Sequence, residues 1–171
     1  MSNFTDPSIS GPGGIVTGPD GNLWFTNDDS IGRITPAGVV SSFTDPSIYS
    51  RPSAIAAGPD GNLWFVTYGN FFPTRQPGGI WRITTAGAIT NVVPQTTFFP
   101  LDIAAGPDGN LWFTIRGSAS IGRITPVGVA SMFTDPSLRM PLWIAAGPDG
   151  GMWFTHSVNN SIGRITAVNL P

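Results

Sequence analysis

Trp, Phe, Ile, Val and Thr occur along this chain in short runs, each bounded by Gly, Pro, Asp or Asn, which is the pattern of brief strands joined by tight turns. One stretch defines the unit. Residues 54–58, Ala-Ile-Ala-Ala-Gly, read as a strand of small residues. Pro59-Asp60-Gly61 then makes a turn, in which proline presets φ, the aspartate bonds back to the backbone and the glycine takes the left-handed position. Asn62 to Val66 form a second strand, apolar on both faces as expected of a sheet sandwiched between two others. Ile80 to Thr84 form a third, and a Thr-x-Gly turn leads to a fourth, outer strand ending near Val92 and Val93. We label these strands A to D.

Gly-Pro-Asp-Gly recurs at Gly18, Gly58, Gly106 and Gly147, at spacings of 40, 48 and 41 residues. Each copy is followed by a Trp-Phe pair and then by Ile-x-Arg-Ile-Thr, so the chain is four copies of one unit. Strand-rich repeats of this period predict an all-β fold: a β-propeller of four four-stranded blades in one array spanning residues 1–171. The blades fall at approximately 10–45, 50–94, 98–135 and 139–171. The recurring Trp24, Trp64, Trp112 and Trp153 are expected to fill the wedges between blades, and the once-per-blade Arg33, Arg82, Arg123 and Arg164 to serve structure.

The last copy stops after its C strand, at Ile162 to Thr166, while Asn3 to Ser8 match the D-strand ends at Ser42 to Ser47 and Met132 to Ser137. Residues 1–8 are therefore expected to complete the last sheet, because a bare strand edge is a liability. Closure within one chain gives a four-bladed disc. Closure between two chains gives an eight-bladed ring and a homodimer, which the broad Trp-Phe wedges favour.

Composition narrows the partners. Every one of the eight cations is Arg and every one of the ten anions is Asp, for a formal charge of −2, so no basic footprint for nucleic acid or an anionic membrane is present. The absence of cysteine rules out a disulfide framework or thiolate metal site. Met1 to Thr5 carry no leader pattern and no run approaches a membrane span, so the chain as written is expected to be soluble and cytoplasmic, or secreted if a leader preceded it.

Gly-Pro-Asp-Gly-Asn-Leu-Trp-Phe-Thr followed by Ile-Gly-Arg-Ile-Thr-Pro-x-Gly resembles the blade repeat of the virginiamycin B lyase (streptogramin lyase) family, and more distantly NHL-type and gluconolactonase-like propellers. The resemblance covers nearly the whole chain. It implies a ring that, in family lyases, has seven blades in one chain and opens a cyclic antibiotic ester by elimination, with magnesium and with His and Glu on blade loops. This chain departs from that pattern. It has four repeats, no glutamate and a single histidine, His156, so no family acid-base set carries over.

Comparison of the copies locates the expected site. The A-B and C-D turns are near-uniform, whereas the B-C and D-A connections diverge and lie together on the opposite rim. The B-C segments are Asn27 to Ser30, a long insertion from Tyr68 to Gly79, Arg116 to Ala119, and His156 to Asn160. Candidate ligand-binding residues in the B-C loops are Tyr68, Asn70, Phe71, Phe72, Arg75, Arg116 and Asn159. The D-A connections contribute Tyr49, Arg51, Phe98, Phe99, Asp102, Arg139 and Trp143. Aromatics interspersed with Arg on scaffolded loops have the composition of a small-molecule or protein-binding surface. His156 is the one candidate catalytic base. Asp28 and Asp29 lack the further spaced ligands of a cation loop, so no metal site is expected. The expected function is a non-catalytic binding or assembly module without a cofactor. The alternative is a lyase or hydrolase of a cyclic ester that uses His156 and magnesium.

Overall fold

The computed structural model describes residues 1–48, 50–69, 78–93 and 99–167, and among them the regular structure is entirely β-strand. The first sheet holds β1 (Ile15–Thr17), β2 (Leu23–Thr26), β3 (Ile31–Ile34) and β4 (Val40–Phe43) in that order. The second holds β5 (Pro52–Ala57), β6 (Leu63–Thr67), β7 (Gly79–Ile83) and β8 (Ile89–Val93), and the third β9 (Phe99–Ala105), β10 (Leu111–Arg116), β11 (Ser120–Ile124) and β12 (Ala130–Thr134). The fourth has three strands, β13 (Pro141–Ala146), β14 (Gly151–His156) and β15 (Ser161–Thr166). All pairings are antiparallel between sequence neighbours, the up-and-down order of propeller blades.

The repeated turn has a local cause. In every copy the turn aspartate accepts the indole N–H of the tryptophan four residues on, from Trp24 to Asp20, Trp64 to Asp60, Trp112 to Asp108 and Trp153 to Asp149, at 2.9–3.0 Å. A Cβ at Gly18, Gly58, Gly106 or Gly147 would run into that indole, so the motif needs glycine there. The C-strand arginine stands over the same ring, with 5.8 Å from Arg82 to the Trp64 centroid, and Arg164 also pairs with Asp149 at 2.6 Å. The recurring arginines therefore act as lids on the recurring tryptophans.

Period-two alternation gives each sheet two different apolar faces. One carries the tryptophan of the B strand and the first isoleucine of the C strand; the other carries the Leu/Met and Phe of the B strand. Adjacent sheets always join tryptophan face to leucine face. Trp24 and Ile31 pack with Ile55, Leu63 and Phe65. Trp64 and Ile80 pack with Ile103, Leu111 and Phe113, and Trp112 and Ile121 with Ile144, Met152 and Phe154.

The opening segment differs from expectation. Residues 1–8 form no strand and do not lie beside β15 within this chain; they run along the first sheet. Asn27 holds them there, donating to the Ser8 carbonyl at 3.0 Å and accepting from the Ser10 N–H at 3.3 Å. The Phe4 ring occupies the space a Cβ on Gly38 would take. Among the described residues, β15 consequently has one strand partner, β14.

Candidate functional site

Strand pairing brings the start of each A strand and the end of each B strand to one rim, since Pro52 pairs with Thr67, Phe99 with Arg116 and Pro141 with His156. The uniform A-B and C-D turns close the other rim, through bonds such as Gly18 N–H to Asn22 C=O and Thr35 N–H to Val39 C=O. Arg51, Tyr68, Phe99, Arg116, Arg139 and His156 thus share the variable rim. Tyr49, Asn70, Phe71, Phe72, Arg75 and Phe98 lie outside the described residues.

Side chains from three sheets converge at one place. The Arg116 guanidinium lies 5.3 Å from the Tyr68 ring centroid and donates to its hydroxyl, and Tyr68 sits 6.3 Å from Phe99 at a tilt of 50°. Arg51 pairs with Asp28 at 3.2 Å and donates to the Gly11 carbonyl at 2.8 Å, bridging the first two sheets. Arg51 and Tyr68 border an open recess of about 340 Å³, whose other walls are Gly13, Pro52, Ser53 and Gly69. A second recess, of about 430 Å³, is lined by Arg139 and Met140 with Gly117, Ser118, Ala119 and Val158.

His156 ends β14, where sequence analysis places it just beyond the strand, and it is only 8% exposed. Its Nδ1 is 2.9 Å from Ser161 Oγ, whose single proton goes to Asn159 Oδ1 at 2.9 Å. With that proton spent, Nδ1 is the donor in this contact, and Nε2 is buried without a partner among the described residues. A cavity of about 260 Å³ adjoins the ring, with Phe133, Asp135, Ser137, Leu138, Gly163 and Arg164 among its walls.

Asp102 is occupied structurally. Its carboxylate accepts the N–H of Ile144 at 2.8 Å and of Ile103 at 2.9 Å, tying the third sheet to the fourth. Burial pushes this carboxyl above the usual carboxylate range, and the two N–H bonds only partly offset that. Trp143 belongs to β13 and lies on the outward face of the last sheet, away from the Tyr68 cluster. Among the described residues, no three His or Asp side chains come together to hold a metal.

The sequence profile of the virginiamycin B lyase family matches residues 1–70 and 68–169. The chain belongs to the virginiamycin B lyase family. It is 37% identical to a catalytically inactive histidine-to-alanine variant of virginiamycin B lyase from Staphylococcus aureus, solved with quinupristin, over 98% of this chain and 56% of that one, with a TM-score of 0.83. A streptogramin B lyase structure is 36% identical over 99% and 56% of the two chains, with a TM-score of 0.85. A gluconolactonase from Xanthomonas campestris shares the fold at 15% identity, covering 91% and 57%, with a TM-score of 0.69. Comparison with curated proteins finds no match. The chain spans a little over half the length of the solved lyase chains it resembles, 56%.

In this virginiamycin B lyase family member, sequence analysis missed Asp135, Ser137 and Leu138 as neighbours of His156, because they lie on the preceding repeat.

Proposed function

We propose that the chain is a non-catalytic binding module of the virginiamycin B lyase family, holding a small molecule on the variable rim. One observation carries the reading: Arg51 and Tyr68 line one open recess on the rim, and Phe99 and Arg116 of the neighbouring sheet pack against Tyr68. Aromatic faces beside guanidinium groups suit a ligand that joins a flat or apolar ring to a carboxylate or phosphate. Thermal unfolding against a panel of such compounds tests it. A binder should raise the midpoint in the unaltered protein and lose that effect in Tyr68→Ala and Arg116→Ala, while Asp149→Asn on the opposite rim keeps it. Binding that survives both rim substitutions sinks the proposal.

The lyase reading has one specific support, the Nε2 of His156, which has no partner among the described residues, in a family where a histidine variant of a relative is described as inactive and was solved with quinupristin. An imidazole nitrogen facing the adjoining cavity is the kind of group that takes a proton from a substrate. The donor set does not fit a magnesium ion held by this chain alone, since no three ligating side chains meet among the described residues. Ring-opening of a cyclic depsipeptide that disappears in His156→Ala, with the fold retained, would replace the binding reading.

A further inference from the structure

Each of the two rim recesses is built on a D-A connection, and they differ in charge. Arg51 and Met140 both precede the proline that opens an A strand, Pro52 pairing with Thr67 and Pro141 with His156. In the first recess the arginine is already neutralised, because Asp28 from the B-C turn of the preceding sheet pairs with Arg51 at 3.2 Å. In the second, the B-C turn of the preceding sheet offers Gly117, Ser118 and Ala119 and no carboxylate. The charge of Arg139 is left uncovered.

Arg139 is exposed, and among the described residues its side chain has neither a hydrogen bond nor an ion pair. The other described arginines are committed. Arg82, Arg123 and Arg164 pair with the turn aspartates of their own sheets, Arg33 donates to the Thr85 carbonyl and covers Trp24, and Arg116 lies over Tyr68. Asp135, on the same connection as Arg139, is occupied too, its carboxylate accepting the Ser137 N–H at 2.8 Å. The rest of the recess, of about 430 Å³, has apolar walls in Leu138, Met140 and Val158. Met140 is also held in an unfavourable backbone shape. Its φ of 47°, and the 50° of Asn160 in the turn that carries Val158, are the only left-handed values at non-glycine residues among the described ones. A Cβ disfavours that region, and methionine has no short polar side chain to compensate as asparagine does. Strain of this kind gathers at ligand sites.

We propose that this recess is a second ligand site on the rim, taking a carboxylate carried on an aromatic ring. Arg139 supplies a planar pair of donors for the carboxylate, while Leu138, Met140 and Val158 supply the apolar wall, with the methionine thioether suited to a ring edge. One uncovered arginine balances one negative charge, which fits a carboxylate better than a phosphate. The inference goes beyond the recess at Tyr68 and does not depend on it, since the two recesses share no lining residue.

Phenylacetate is the probe, and phenylacetamide, the same ring without the charge, is its control. The four methionines, labelled with carbon-13 at their methyl groups, report the site by nuclear magnetic resonance. Titration with phenylacetate should move the Met140 signal to saturation and leave in place that of Met152, which is fully buried between the third and fourth sheets. Phenylacetamide, and phenylacetate with the Arg139→Gln variant, should each bind about tenfold more weakly or worse. Arg139→Lys should recover part of that loss, because it restores the charge without the fork. Val158→Asp, a change at an exposed position in a turn, should repel the acid, and an unshifted Met152 signal shows that each variant keeps its fold. A Met140 signal that stays still at millimolar phenylacetate, acid and amide that bind alike, or undiminished binding by Arg139→Gln overturns the proposal.

Discussion

Asp60, Trp64 and Arg82 show how one motif serves two purposes. The carboxylate satisfies a buried indole N–H and the turn backbone at once, and the arginine covers the ring from the solvent side. Asp60→Ala orphans that N–H and should cost about 1–3 kcal/mol. Trp64→Ala leaves a hole between the second and third sheets and should cost about 3–5 kcal/mol, both read from urea midpoints. Asp149 is the exposed version of the same device. The Trp153 indole and Arg164 hold its pKa down to about 2, against an ordinary 3.8. Because the folded value is depressed, the stabilisation is present above pH 4 and is lost as pH falls from about 4 to about 2. Asp102 runs in the opposite sense: its raised pKa favours the folded state when protonated, and that contribution fades as pH rises through the folded value. Asp149→Asn should therefore flatten the acid limb of a stability curve measured from pH 5 to pH 2.

At the level of strands and turns, much was legible in advance. Pro59-Asp60-Gly61 announced its turn through the φ set by proline and the left-handed glycine, and Gly61 has a φ of 74°. Leu63 to Val66, apolar at every position, announced a sheet covered on both sides, and all of them are buried. What escaped is instructive. His156 pairs with Pro141 and Ser161 and so extends β14 by a residue, a cross-strand effect with no local signature. The segment Asn3 to Ser8 was recognisable as a strand end, but its seat was fixed by Asn27 and Gly38, which similarity to other strand ends cannot reveal. The Tyr68, Phe99 and Arg116 cluster was readable only as a shared rim, since the contact joins residues of two repeats. Glycine in the C strand carries a further prediction. The Phe113 ring lies over Gly122 with no room for a Cβ, so Gly122→Ala should destabilise by about 1–3 kcal/mol through overpacking, seen as a lower melting midpoint.

For the molecule as a whole, stability is a sum over neighbouring sheets and not a property of one central core. Removing residues 1–8 takes away the Asp6 turn and the Phe4 contact with Gly38, uncovers the flank of the first sheet, and should promote aggregation. Equal sedimentation of shortened and full-length chains would contradict that expectation. A stack whose members join in one sense only also has a direction, like a row of interlocking tiles with a tongue on one side and a groove on the other. Duplicating or excising a complete unit of roughly forty residues leaves every remaining joint correctly matched, so such an architecture can change length in whole steps by simple gene slippage, without any compensating substitution at the seams.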